Sequence, residues 1–591
     1  MIMLGFAAVV AAIFVTGLAI SDRLHLEGWE RSVAAIVAGS ALWLAATWLL
    51  ALTHQLTRPA LLGLCAAFLI AALFNVRRLH APRVSLVLVP VALWVLFILW
   101  RGAIVPPVNH DVLAYHLPKA VLILRAHGIE SFQAPDMRVA WFSSNYELLL
   151  ADTLILCGAD TITEWIGTAF YLAFLAASAW MAERWWGKGR HVAAVVVAVA
   201  GAPVLLLHSG ADKNDLMAGF FAVTALLWGV RWARSGGDVP LALAIVSIVI
   251  AVGTKLNTAA VLLALLPLAV WRVARGGVRL VPALRTFLFG AAVFVFCGGA
   301  MLLIPRPATA AASAAPAVQQ FSYGDWRNLV RVPVMILTVP FGPARAPFGG
   351  VAWPKYLVFG SHFGALFTIA AVALPFFVFA YRRRMAEATL ALFVALVAFA
   401  IMLPVHVAPD LGFSAFPRYA LFLLPVIVCW TIAPAVRALS GRMAHAAVAM
   451  VVAVFVGQAV DYGVNDDLCP LDYVEFCRTH PGTRIAGRTL RAAVAVDQWA
   501  GPHDVIAADG GTGSWVYPAY GAKLTRDVVF LHGDDVPPDA QWVIIDRGAD
   551  YLATTGRFPP DPPLFVKLRN DPRFELVYHR DSTAQAVFRR R

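Results

Sequence analysis

Long apolar runs alternate with short polar breaks over roughly the first 460 positions of this chain, each run close to the ~20 residues a helix needs to cross a bilayer. The pattern predicts about fourteen membrane-spanning helices, at residues 2–20, 33–53, 59–74, 84–100, 164–182, 191–207, 215–231, 239–253, 257–271, 286–304, 362–381, 388–403, 419–435 and 445–462. Helices are the only open spanning structures that satisfy their own backbone hydrogen bonds in lipid. The first run, 2–20, lacks a basic leader and exceeds the usual signal-peptide core, so it reads as a span.

After about residue 463 the pattern changes to short β-rich pieces, "TRIAG", "DVIAAD", "DVVFLHG", "AQWVIIDRG" and "FELVYHR", set apart by Gly, Pro and Asp turns. The expected fold is an all-α polytopic membrane protein with a small C-terminal α/β domain. Its parts are N-terminal transmembrane helices (1–100), a first large external loop (101–163), a transmembrane core (164–462) and the α/β domain (463–591). "ADGGTGS" has the glycines of a phosphate-cradling turn, but a lone glycine-rich turn more simply reads as a tight turn.

Composition agrees with the pattern. Hydrophobic residues make up 60% of the 591 and charged residues 14%, against about 25% charged in soluble domains; mean hydropathy is +0.73. The net charge of +12 does not indicate nucleic acid, because the basic residues crowd the short loops 75–83, 183–190, 271–285 and 381–387. These loops fall on one side of the predicted topology, which the positive-inside rule makes cytoplasmic. The opposite, extracytoplasmic side receives 101–163, the turn "HSGADKND", the region beginning "PRPATAAASAAP", the stretch "PVHVAPDLGFSAFPRY" and the C-terminal domain. Cys65, Cys157, Cys297 and Cys429 sit in apolar runs as small hydrophobes, whereas Cys469 and Cys477 are placed for a disulfide or for two free thiols.

Ionisable groups at the bilayer are costly and mark function. Four clusters fall at the predicted external ends. "VPPVNHDVLAYHLPKAV" follows two prolines and starts an amphipathic helix at Asp111, which reads equally as a helix cap or a catalytic acid. "HSGADKNDLMAGFF" sets Asp212 and Asp215 beside a lysine, a pattern suited to a metal or a phosphate-bearing ligand, although Asp215 is also placed to cap. "AVGTKLNTAAV" places Lys255 as a snorkelling cation or a phosphate partner. "FSAFPRYALFLLP" places Arg418 against the charge bias, which calls for an anionic partner. His110, Tyr115, His116 and Glu147 ("SSNYELLL") are candidate substrate contacts; His116 reads also as packing and Glu147 as a cap.

The ordered series "HDVLAYHLPKAVLILRAHG", "SSNYELLLADTLILCGAD", "SGADKNDLMAGFF", "AVGTKLNTAAV" and "FPRYALFLLP" resembles the polytopic glycosyltransferases of the GT-C fold, especially the bacterial branch near the protein mannosyltransferases and lipid A aminoarabinose transferases. The resemblance covers roughly residues 100 to 435. It implies an inner-membrane enzyme that moves a sugar from a polyprenyl-phosphate donor to an extracytoplasmic lipid, glycan or protein acceptor with inversion. In that frame Asp111 is the general base, Asp215 the second acid, and Lys255 and Arg418 meet the phosphate. No cofactor is certain; a divalent metal, if used, falls to Asp111, Asp212 and Asp215. Relatives commonly carry this loop after their first span, whereas three additional spans precede it here, and a single acid stands where some relatives have a pair. The alternatives are a flippase for polyprenyl-linked sugars, which requires broken mid-membrane helices or repeats, and an O-antigen ligase or polymerase relying on the region 305–361.

Overall fold

The computed structural model describes residues 2–74, 85–132, 134, 136–275, 280–299, 304, 363–383, 385–402, 416–465, 475, 478–479, 491–511, 513–531, 533–546, 562–580 and 585–591. The expectations for 305–361, the strand "TRIAG" and the Cys469–Cys477 pair lie outside these residues.

Helices α1 (Ile2–Arg23) and α2 (Gly28–Leu52) form an antiparallel hairpin. They pack backbone against backbone: a Cβ on Gly17 would stand 1.8 Å from the Ala35 carbonyl oxygen, and one on Gly39 1.9 Å from that of Ile13. Small residues permit such closeness, and dispersion then replaces the hydrophobic drive that lipid cannot supply. There follow α3 (Arg58–Leu73), α4 (Val89–Ile104), a π-helical turn (Val112–His116), α5 (Leu117–Ala126), α6 (Met137–Trp141), α7 (Asn145–Cys157) and α8 (Trp165–Trp186). The core continues through α9 (Arg190–Ala200), α10 (Pro203–Ser209), α11 (Asp215–Ser235), α12 (Asp238–Thr254), α13 (Ala259–Ala274) and α14 (Leu280–Phe296). It closes with α15 (Gly364–Tyr381), α16 (Ala386–Met402), α17 (Phe416–Tyr419), α18 (Leu423–Ala438) and α19 (Gly441–Asn465).

Among the described residues seven helical segments are long and apolar enough to cross a membrane, and an eighth if α9 and α10 count as one broken span. Shorter apolar helices occupy further predicted positions. The chain is therefore a multi-pass membrane protein. The predicted straight span 191–207 needs correction: α9 and α10 meet at 72°. Pro203 at the start of α10 lacks an amide hydrogen and cannot continue the ladder from α9. The helix expected to lie on the membrane surface from Asp111 is also different. It begins with the π turn, and Val112 to Val121 are buried, because α7 packs against α5 and the C-terminal domain covers the turn.

That domain is a five-stranded sheet of β1 (Val505–Gly510), β2 (Asp527–Phe530), β3 (Trp542–Asp546), β4 (Phe574–Arg580) and β5 (Gln585–Arg590), in the order β2-β1-β3-β5-β4. β1 runs parallel to β2 and β3, and β5 antiparallel to β3 and β4. Ile506, Ala508 and Ile544 pack on one face and Ala507, Val543 and Ile545 on the other, so both faces are covered and the strands read as continuous apolar runs. Trp515, Tyr517 and Tyr520 join the hydrophobic core of the membrane helices. Arg125, next to the end of α5, ties the domain down: it donates to the carbonyls of Leu524 (3.2 Å) and Arg526, pairs with Asp527 (3.0 Å) and lies 4.9 Å from the Tyr520 ring centroid.

Candidate functional site

The site forms where α10, α11, α12 and α17 meet the π turn and α6. Two prolines after α4 stop the chain, and Asp111 enters the π turn in right-handed helical geometry. π turns are rare and frequent at functional sites, because the extra residue rotates side chains out of α register. The Asp111 carboxylate makes no capping hydrogen bond, so the cap reading fails. It meets three cations instead: Arg138 Nη1 at 3.2 Å on Oδ1, and Arg418 Nη1 at 3.0 Å and Lys213 Nζ at 3.4 Å on Oδ2. Burial would raise its pKa, but Lys213, Arg418 and Arg138 together hold the carboxyl well below its ordinary value.

Each cation is itself positioned. Asp136 caps α6 and grips Arg138 along one edge, at 2.9 Å to Nε and 2.6 Å to Nη2, while the guanidinium stacks 4.1 Å above the Tyr115 ring centroid. Arg418 donates to the Tyr419 hydroxyl at 3.1 Å, and its Nε has no hydrogen-bond partner among the described residues. Lys255 forms a short ion pair with Asp215 and sits 4.6 Å from the Tyr419 ring centroid. His208 lies 3.5 Å from the other Asp215 oxygen. With histidines neutral, the four cations Arg138, Lys213, Lys255 and Arg418 face the three carboxylates Asp111, Asp136 and Asp215, which leaves an excess of one positive charge among the described residues.

The structure thus brings together Asp111, Asp215, Lys255, Arg418, Tyr115 and His110, and separates the rest. Asp212 turns away from Asp215. Its Oδ2 accepts from Thr163 at 2.8 Å, and it lies near Glu164, which is ion-paired with Arg101. Burial and the Glu164 charge push the Asp212 carboxyl well up. The suggested metal set of Asp111, Asp212 and Asp215 is accordingly parted, and no group of three His, Cys, Asp or Glu side chains placed to hold a metal occurs among the described residues. A carboxylate ringed by lysine and arginine does not fit a divalent ion. His116 and Glu147 pair with each other at 2.6 Å, both 1% exposed, and brace α7 against the π turn. His110 lies at the edge of the site and accepts the Trp515 indole N–H at Nδ1, 2.7 Å. Although the residue is exposed at this edge, partial removal from water lowers its pKa to about 4; Asp111 opposes the shift, and Arg491, Arg138 and Lys213 add to it.

In the "ADGGTGS" turn, two amides that a phosphate cradle would offer are already engaged: that of Gly511 donates to the Ser514 hydroxyl at 2.7 Å and that of Gly513 to Asp136 Oδ2 at 2.9 Å. Sequence reasoning missed Arg138, Asp136, His208 and Trp515 and left Lys213 as a bystander. Lys213 and Arg138 carry the signal that exposed Arg418, a cation on the side that the charge bias leaves poor in cations. Trp515 carries none, being brought in by tertiary docking alone.

No protein-family model matches the chain, and no curated protein matches it by sequence. Solved structures do match. ArnT from Cupriavidus metallidurans bound to undecaprenyl phosphate aligns at 12% identity and a TM-score of 0.50, over 85% of this chain and 97% of that one. The apo state of the same ArnT aligns over the same shares at 12% identity with a TM-score of 0.36. The first likeness is one of fold: the mostly helical chain has an ArnT-like GT-C membrane architecture.

Proposed function

We propose that the protein is a membrane glycosyltransferase that moves a sugar from a polyprenyl-phosphate donor to an extracytoplasmic acceptor, with inversion and with Asp111 as general base. The observation that supports the reading is the surplus of cations, among the described residues, around one largely enclosed carboxylate at the ends of membrane helices, with an Arg418 Nε that has no hydrogen-bond partner among those residues. The phosphodiester of such a donor brings one negative charge, which matches the surplus, and ArnT was solved with undecaprenyl phosphate bound.

The chemistry follows from competition for those cations. With Lys213, Arg418 and Arg138 all engaged on it, Asp111 is held well below the ordinary carboxyl range and is a poor base. A donor phosphate that draws Arg418 and Lys213 to itself frees Oδ2 and restores its basicity. The acceptor oxygen then attacks the anomeric carbon and passes its proton to Asp111, the bond to the phosphate oxygen breaks, and the fixed cations take up the charge that develops there. The leaving group is a good one, so no nucleotide is required.

The test is transfer from a labelled polyprenyl-phosphate sugar in proteoliposomes, comparing wild type with Asp111→Asn. The expected loss is on the order of 10²–10⁴-fold. Full activity in the variant at normal expression overturns the base. Movement of labelled lipid across the bilayer without transfer favours the flippase, for which the bent α9–α10 pair is the structural argument.

A further inference from the structure

The C-terminal domain reaches the site by two routes through one turn, residues 513–517. Along the first, the Gly513 amide donates to Asp136 Oδ2, Asp136 holds the Nε and Nη2 edge of Arg138, and Arg138 Nη1 reaches Asp111. Asp136 is 2% exposed, so its orientation is set wholly by these bonds and by the amide it caps at residue 138. Along the second, the Trp515 indole donates to His110 Nδ1, next to Asp111 in the chain. Arg491 stacks 4.4 Å from the Trp515 ring centroid and fixes the indole from behind. A donor at Nδ1 requires a lone pair there, which keeps His110 neutral with its proton on Nε2.

We propose that this turn is a positioning element of the active site: through Asp136 it aims Arg138 at Asp111, and through Trp515 it keeps His110 uncharged beside Asp111. The proposal rests on the glycosyltransferase reading above for its catalytic consequence. The charged groups that face His110 are Asp111 on its own segment, Arg138 from α6, Lys213 from the turn after α10 and Arg491 from the C-terminal domain. Protonation of His110 would add a further cation to a site that already holds a surplus, and Asp111 would become a weaker base.

Two conservative variants test this in the full-length protein. Trp515→Phe keeps the packing ring and removes only the donor to neutral His110, so the acid limb of the transfer profile moves up by about half to one pH unit. Asp136→Asn still caps α6 but releases Arg138; transfer falls about 10- to 100-fold in kcat with little change in donor KM, and Asp136→Glu recovers part of it. A second readout needs no turnover. Binding of polyprenyl phosphate by Trp515→Phe tightens between about pH 6 and pH 4.5 more than in wild type, because His110 gains its proton earlier. Wild type without transfer but with this binding shift refutes the proposed function and keeps the positioning role. Unchanged acid limb and binding profile in Trp515→Phe, with unchanged kcat in Asp136→Asn, overturn the positioning role and leave the turn as a docking contact.

Discussion

Asp111 receives three cations from three separate parts of the chain, and its properties depend on which of them it keeps. Arg418 offers a planar fork, with Nη1 on Asp111 and Nε unengaged. Arg418→Gln is expected to raise the donor KM by about 10- to 100-fold, the value of a charge-assisted hydrogen bond, and Arg418→Lys to recover only part because an ammonium has no fork; initial rates against donor concentration measure this. The carboxyl also ties stability to pH. Its folded pKa lies below the unfolded value of about 3.9, so its stabilisation is fully present above about pH 5 and is lost progressively as pH falls below the unfolded pKa and on through the lower folded one. Thermal unfolding in detergent should show wild type and Asp111→Asn converging as pH is lowered from about 5 to about 2.5; a constant gap contradicts the cage. At this scale Asp111, Asp215, Lys255 and Arg418 were legible because charge beside apolar runs is costly and therefore conspicuous. Glu147 and His116 were equally conspicuous, yet they satisfy each other. Pairing of two residues 31 positions apart depends on how α7 folds back on the π turn, which no local pattern encodes.

Among the elements, the spans were legible because lipid leaves the backbone one open solution, and runs such as 215–231 correspond to α11 almost end to end. The break between α9 and α10 was written in "AGAPVLL", but uniform hydropathy masked it. The π turn has no sequence signature of its own. Strand β5, "QAVFRR", was missed because its basic end resembles a solvated tail, whereas pairing with β3 and β4 makes it a strand with Ala586, Val587 and Phe588 buried. The α1–α2 hairpin depends on its glycines in a way hydropathy does not record. Gly17→Val inserts carbon where the Ala35 carbonyl stands, so the hairpin must part, with an expected loss of about 1–3 kcal/mol, the usual cost of overpacking; the melting temperature in detergent measures it. Gly63 has open space at the same test and Gly63→Ala should leave stability nearly unchanged.

Across the whole molecule, the C-terminal domain is held by polar contacts of unequal worth. The Arg125–Asp527 ion pair is exposed, with Asp527 71% accessible, so Asp527→Ala should cost less than about 1 kcal/mol. Arg125 also serves two carbonyls and the Tyr520 ring. Its replacement by Ala should cost more, about 1–3 kcal/mol, and increase protease access to the C-terminal domain; equal effects of the two substitutions contradict this account.

The cage around Asp111 also sets an order in time. Its partners lie 27, 102 and 307 residues further along the chain, and Trp515 stands 405 residues after His110. At roughly 5–20 residues per second, Arg418 leaves the ribosome some 15–60 s after Asp111. For that interval the nascent chain carries an undercompensated carboxylate at the membrane, and the pocket closes only when nearly all of the protein has been made. A ribosome that stalls before residue 515 therefore leaves the membrane helices in place without the Trp515 contact to His110.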